Sequence, residues 1–267
     1  MTDLTGRIAL VIGSASGMGA AITKRLAREG ARVVVHGRTE SQVEQACRQL
    51  EQDVPGAEVT GHAAELADRD AVSALLRAVP DADIVVDNAG PTPSVPITTM
   101  TDEQWTRYFD TYVTTAFRLG QHFLPGMVGR GWGRMLFGAG VTCSYSPGDK
   151  DVAEQMTAWL TCKSALLGLS RGLAEVTAGS GVTVNAFIPG PTHTEESYLS
   201  RATPPQGMRY ADIEREFFAG PGLSSLLGRF IHPDEVADVV AFLASPQSSA
   251  ITGAAVRIDG GIIRPIL

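Results

Sequence analysis

The chain has 267 residues, 44% hydrophobic and 19% charged, with a formal net charge of −7. That is the composition of an ordinary folded domain long enough to bury a substantial core. The acidic balance, with no lysine- or arginine-rich run, argues against nucleic acid or anionic membrane as partners, and no apolar run approaches the length of a membrane span.

Residues 7–13, RIALVIG, form a short β-rich run, so the chain begins on a strand rather than on a signal peptide. Residues 18–30 place apolar side chains on one helical face and stop at Gly30. A strand over 31–37, a helix over about 40–52, a weaker strand over 57–63 and a helix over about 69–79 follow. Residues 82–90 read as a strand running into a turn. A long helical segment spans about 102–127, stopped near Pro125 and Gly129. Residues 133–140 make a fifth strand, 153–178 a helix and 181–190 a sixth strand. The looser segment 191–228 contains YADIEREFFA, a short helix. Pro233 opens a helix over 232–245, where a first turn tolerates it, and 254–261 gives the last strand. Continuous apolar strands alternating with helices imply a parallel sheet covered on both faces. The expected fold is one α/β, Rossmann-type, doubly wound domain over 1–267 with about seven strands.

The three cysteines, Cys47, Cys143 and Cys162, are odd in number and lack metal-ligand spacing. Free thiols in a reducing, cytoplasmic setting are expected. His62, Glu65, His122 and His232 form no metal-ligand pattern, and no metal is expected.

The turn GSASGMG puts Gly13, Gly17 and Gly19 between the first strand and the first helix. Glycines there allow a sharp turn and close approach of a pyrophosphate, which meets the free N–H groups and positive end of the helix. The second strand ends in HGR: Gly37 supplies no acid for a ribose 2′-hydroxyl, and Arg38 suits a 2′-phosphate, which favours NADP(H) over NAD(H).

These elements, with DNAG at 87–90, GRMLF before the fifth strand's end, Lys163 on its helix, VNAFIPGPT at 184–192 and IDGG at 258–261, resemble the short-chain dehydrogenase/reductase family over nearly the whole chain. The resemblance implies that Gly13, Ser14, Ser16, Gly17, Met18 and Gly19 wrap the phosphates and that Arg38 meets the 2′-phosphate. It implies Glu65 and Leu66 beside the adenine, and Asn88, Ala89 and Gly90 along the ribose. Pro189, Gly190 and Thr192 would face the nicotinamide, and Lys163 would hold the ribose hydroxyls. Asp87 replaces the family's usual asparagine. A homo-oligomer, tetramer or dimer, is also implied, with helices 102–127 and 153–178 at an interface.

The family's catalytic positions read differently. Its tyrosine, four residues before the lysine, is Trp159 here, and an indole is no general acid at neutral pH. Its serine falls on Gly140, beside Ala139, and its helix asparagine on Tyr112. A slid register over the long 141–155 stretch offers Ser144 or Ser146 as the serine, but no slide restores the tyrosine, because Trp159 and Lys163 share one helix.

Tyr145 near the Lys163 ammonium, or Tyr112, could serve as acid or base, against the plainer reading of pocket-lining or space-filling side chains. Cys143 reads as a nucleophile or a small hydrophobe. His193, followed by Glu195, reads as a base or an exposed loop histidine. Trp159 reads as an apolar wall against a small substrate. Three functions stay open. One is isomerase, cyclase or elimination chemistry on a small apolar or aromatic carbonyl-type compound with NADP(H) bound. The second is an oxidoreductase using Tyr145, Tyr112 or water as proton source. The third is a catalytically silent partner subunit.

Overall fold

The computed structural model describes residues 2–79, 81–90, 94–140, 150–194, 210–219 and 225–264. The strands are β1 (Ile8–Ile12), β2 (Arg32–Gly37), β3 (Val59–Ala63), β4 (Ile84–Asp87), β5 (Gly133–Gly138), β6 (Val182–Pro189) and β7 (Ala255–Ile258). They form one seven-stranded sheet in the order β3-β2-β1-β4-β5-β6-β7, and every pairing is parallel. This is the doubly wound arrangement expected from the alternation of apolar strands with helices. The order reverses between β1 and β4, so their C-terminal ends open a crevice where ligands bind in such sheets.

Strand residues alternate between two cores, as a period of two requires. Leu10, Ile12, Val34, Val85, Met135 and Phe137 face one layer of helices. Ala9, Val11, Val33, Val35, Val86 and Leu136 face the other. The first layer holds α3 (Arg69–Ala78), α4 (Asp102–Phe109), α5 (Thr115–Arg130) and α6 (Lys150–Val176). The second holds α1 (Gly17–Arg28), α2 (Glu40–Asp53) and α8 (Pro233–Ala244), while α7 (Tyr210–Ala219) lies in the segment between β6 and α8.

Local chemistry sets the helix ends. The Thr39 hydroxyl accepts from Gln42 N at 3.3 Å at the start of α2. The Asp68 carboxylate accepts from Asp70 N and Ala71 N, at 2.8 and 3.2 Å, at the start of α3. Thr101 and Gln104 form a reciprocal capping box at the start of α4.

The long helix expected over 102–127 differs from expectation in two ways. It is interrupted by a π turn over Asp110–Thr114, where the Thr115 hydroxyl donates to Asp110 O at 2.9 Å. It also runs on through Pro125 to Arg130, ending where Gly131 takes a left-handed φ of 69°. A proline lacks the N–H but has a helix-compatible φ, so tertiary burial of Phe123, Leu124 and Met127 carries the helix past it. No described helix is long and apolar enough to cross a membrane.

Candidate cofactor and active site

The glycine turn joins β1 to α1 at the reversal of strand order. Gly13 has φ 67°, and a Cβ on it would lie 2.6 Å from Asn88 O. A Cβ on Gly19 would lie 2.8 Å from Gly13 C and closer still to Gly13 O, so α1 can pack on the turn only with glycine there. The Asn88 amide donates to Gly13 O at 3.3 Å, and Asn88 N donates to Ile12 O at 3.2 Å. Ser16 is the N-cap of α1 and makes no side-chain cap hydrogen bond. The first N–H groups of α1 are thus left without a side-chain cap, which fits a phosphate-bearing cofactor. Met18 packs partly buried behind the turn.

A buried network stands under this turn. His36, 1% exposed, lies in the buried run of β2, one residue before its last member Gly37. Gly13 N donates to His36 Nδ1 at 3.0 Å, so the ring proton sits on Nε2, which is 3.1 Å from Ala64 O. Ser14 N donates to His36 O at 2.9 Å, His36 N donates to the Ser14 hydroxyl at 2.9 Å, and that hydroxyl donates to Val11 O at 2.7 Å. Burial pushes the imidazole pKa down to about 4, against the smaller pull of Ala64 O and Glu65.

At the rim, Arg38 is exposed one residue beyond β2. Glu65 pairs with Arg107 at 2.9 Å and accepts from Ala67 N at 3.3 Å. Leu66 is buried in the core, and its carbonyl accepts from the Thr115 hydroxyl at 3.1 Å.

At the far end of the crevice, Lys163 is 5% exposed. Its ammonium donates to Ala89 O at 3.1 Å and Gly138 O at 2.6 Å. It lies 4.8 Å from the centre of the Tyr112 ring. Tyr112 sits in the π turn, fully buried, and a Cβ on Gly90 would lie 3.4 Å from its hydroxyl. It packs beneath the site as a core side chain. Asp87, 1% exposed, accepts from Ala89 N at 3.0 Å through Oδ1, while Oδ2 has no hydrogen-bond partner among the described residues. Burial pushes its carboxyl up to about 6, although the Lys163 ammonium and the Ala89 N–H pull the other way.

Trp159 lies half-buried one turn before Lys163 on α6. A Cβ on Gly140 would lie 3.1 Å from its Cζ2 and closer still to Cη2. The indole therefore occupies the space a side chain at 140 would need. Pro189 ends β6, and a Cβ on Gly190 would lie 2.9 Å from Asp259 Cα. The Thr192 hydroxyl donates to Gly190 O at 2.9 Å. His193 is exposed, its ring edge-on to His232 with centroids 6.4 Å apart. Tyr145, Cys143, Ser144, Ser146 and Glu195 lie outside the described residues. Among the described residues no group of three or more His, Cys, Asp or Glu could hold a metal ion. Burial raises the Cys162 thiol to about 11, so it is a packing side chain.

The structure thus brings Gly13, Gly19, Asn88, Ala89, Gly90 and Lys163 to one crevice. Sequence reading missed three things: the His36 network, the fit of Trp159 over Gly140, and Arg107 on Glu65. A histidine directly before the glycine of HGR was a signal for the first. A large residue at 159 matched by a missing side chain at 140 was a signal for the second.

His36 and Asp87, both buried, act on stability in opposite directions. The unfolded chain binds a proton at His36 near pH 6.5 and the folded chain only near 4. That contribution is complete above about 6.5 and declines as pH falls, by on the order of 3 kcal/mol at its limit. Asp87 titrates near 3.8 unfolded and about 6 folded, so its contribution declines as pH rises through that window. We expect Asp87→Asn to steepen the loss of stability between pH 6.5 and 4, read from urea unfolding across pH. Parallel curves for the variant and the parent would contradict this assignment.

The family model described as enoyl-(acyl carrier protein) reductase matches residues 13–263. The uncharacterized oxidoreductase YvrD of Bacillus subtilis is 37% identical over 269 residues, covering 99% of both chains. A solved short chain dehydrogenase/reductase family protein superposes with a TM-score of 0.83 at 31% identity, covering 98% of this chain and 100% of the other. L-sorbose reductase of Gluconobacter frateurii, solved with NADPH and L-sorbose, superposes with a TM-score of 0.82 at 27% identity, covering 99% of each. Together with the crevice at the strand reversal, these matches establish that the chain belongs to the short-chain dehydrogenase/reductase family of nicotinamide-dependent oxidoreductases.

Proposed function

We propose that the protein is an NADP(H)-dependent oxidoreductase acting on a small apolar or aromatic carbonyl-type compound, with a proton step that does not run through position 159. The carrying observation is the pairing of a complete cofactor cradle and a buried Lys163 with an indole lying over Gly140. NADPH, when bound, supplies the hydride that adds to a carbonyl carbon while a proton adds to its oxygen. Arg38 suits the 2′-phosphate, and the L-sorbose reductase solved with NADPH supports the same preference.

Each side chain then has a definable part. The turn and the N-terminus of α1 bind the pyrophosphate. Lys163, held by Ala89 O and Gly138 O, is the residue that would hold the ribose hydroxyls. Trp159 presents a flat apolar wall that excludes water and favours an apolar or aromatic partner. Neither Gly140 nor Trp159 offers a hydroxyl to a substrate oxygen, so the proton source in this reading is Tyr145, Tyr112 or water. Self-association through the outer faces of α5 and α6 belongs to this reading; Phe117 is 50% exposed on α5.

A second reading is favoured by the same Trp159–Gly140 pair, which removes the hydroxyls a ketone reductase of this family would use. In it, the bound nucleotide is a structural or electrostatic element and the chemistry is isomerisation, cyclisation or elimination. A panel of small aromatic and aliphatic carbonyl compounds, followed both by NADPH consumption and by product analysis, separates the two. We expect slow NADPH consumption by the parent and at least a tenfold gain in Trp159→Tyr/Gly140→Ser, since a positioned acid contributes roughly 10²–10⁴-fold. Product formation without NADPH consumption would favour the second reading. A double variant no faster than its parent would remove the proton-donor position as the distinguishing feature.

A further inference from the structure

The phosphate turn is tied to the sheet from below by one side chain. His36 reaches across three strands. Its Nδ1 accepts from Gly13 N, where the chain leaves β1. Its Nε2 meets Ala64 O, one residue past β3. Its own main chain exchanges two hydrogen bonds with Ser14, through Ser14 N and the Ser14 hydroxyl. Residues 13 and 14 of the turn are therefore both fixed to residue 36. From the other side only the Asn88 amide reaches Gly13 O among the side-chain hydrogen bonds described.

The chemistry of this arrangement is specific. A partly buried amide N–H is best served by an acceptor, and Gly13 N finds one in a ring nitrogen rather than in a neighbouring carbonyl. Gly13 takes a left-handed φ that makes its N–H direction depend on what holds it. Ala64 O, at the ring's other end, directly precedes Glu65, expected at the adenine rim. The ring thus spans from the pyrophosphate turn to the start of the adenine-side loop. An apolar side chain of the same volume would fill the space but hold neither end.

We propose that His36 is a positioning residue for the cofactor, fixing the phosphate-binding turn through a neutral imidazole with its proton on Nε2. The proposal rests on the reading that this crevice binds NADP(H). Binding affinity follows from preorganisation here: a turn without its anchor must be ordered when the pyrophosphate arrives, and that cost appears in the dissociation constant.

The test is NADPH titration of the whole protein and of three variants, with unfolding curves recorded beside each. His36→Asn places an amide oxygen where Nδ1 stood and keeps an acceptor for Gly13 N. His36→Gln places its amide nearer the Nε2 position and serves Ala64 O. His36→Leu serves neither. We expect Leu and Gln to weaken NADPH by about tenfold, the worth of one buried hydrogen bond, and Asn to stay within about threefold of the parent. A merely structural role would lower stability in all three and leave affinity unchanged. Folded His36→Leu with parental affinity, or Asn and Gln weakened alike, would overturn the proposal. If Leu does not fold, the contrast between Asn and Gln decides. A parent protein without affinity for NADPH would overturn the cofactor reading itself, and it is distinguished by being seen before any variant is made.

Discussion

Gly19→Ala is expected to weaken NADPH binding by more than about a hundredfold and to lower stability by roughly 2–3 kcal/mol. The added methyl would meet Gly13 C at 2.8 Å and Ser14 Cα at 2.9 Å, and Gly13 O closer still. All three are backbone atoms of the turn itself, so no side-chain rotation relieves the overlap. Relief requires the first turn of α1 to move away from the end of β1, and that movement displaces the N–H groups meant for the pyrophosphate. Fluorescence titration and urea unfolding of the variant check both effects. An alanine variant that binds like its parent would show that the turn is not where the nucleotide sits.

The second large effect is expected at Lys163. Lys163→Met keeps the length of the side chain but removes the charge. Ala89 O and Gly138 O then lose their donor, and the Asp87 carboxylate, already with one unpaired oxygen, loses the cation that moderates its burial. Leaving a buried acceptor without its donor costs about 1–3 kcal/mol. Burial already holds Asp87 up to about 6, and without the ammonium it rises further, so the variant should regain stability on mild acidification. Lys163→Met/Asp87→Asn should be more stable than Lys163→Met alone at neutral pH, a coupling that a double-mutant cycle measures. Additive losses would mean that Asp87 and Lys163 do not sense each other.

The fold was legible because its signals repeat. Apolar runs such as ALVI and VVV, each followed by an amphipathic helix, specify a parallel sheet many times over. Gly13 and Gly19 were legible as a cradle because glycine carries a backbone message that does not depend on distant residues. Element ends were legible only within about three residues, as at β4, where the strand expected over 82–90 pairs only over Ile84–Asp87. The π turn at Asp110–Thr114 was not legible, since no proline or glycine marks it. Pro125 misled in the opposite sense: its local preference for ending a helix is overridden by the buried face of α5.

The chemistry of the site was legible position by position but not as contacts. Trp159 and Gly140 are 19 residues apart in sequence, and nothing short of the packed α6 against the end of β5 reveals that the indole covers the glycine. The same holds for His36, whose partners Gly13 and Ala64 lie just past the ends of the two neighbouring strands. Arg107 on Glu65 joins the last turn of α4 to the loop after β3, a pairing that charge spacing along the chain does not encode. Such contacts depend on strand order, and strand order was inferred only as a class.

The most direct test of this account is titration of the purified protein with NADPH and with NADH, followed by the fluorescence of Trp159 and checked by calorimetry. With Gly37 offering no acid and Arg38 beside it, the account predicts saturable NADPH binding at least tenfold tighter than NADH, with Trp159 quenched as the nicotinamide end is filled. Absence of binding by either nucleotide would contradict it.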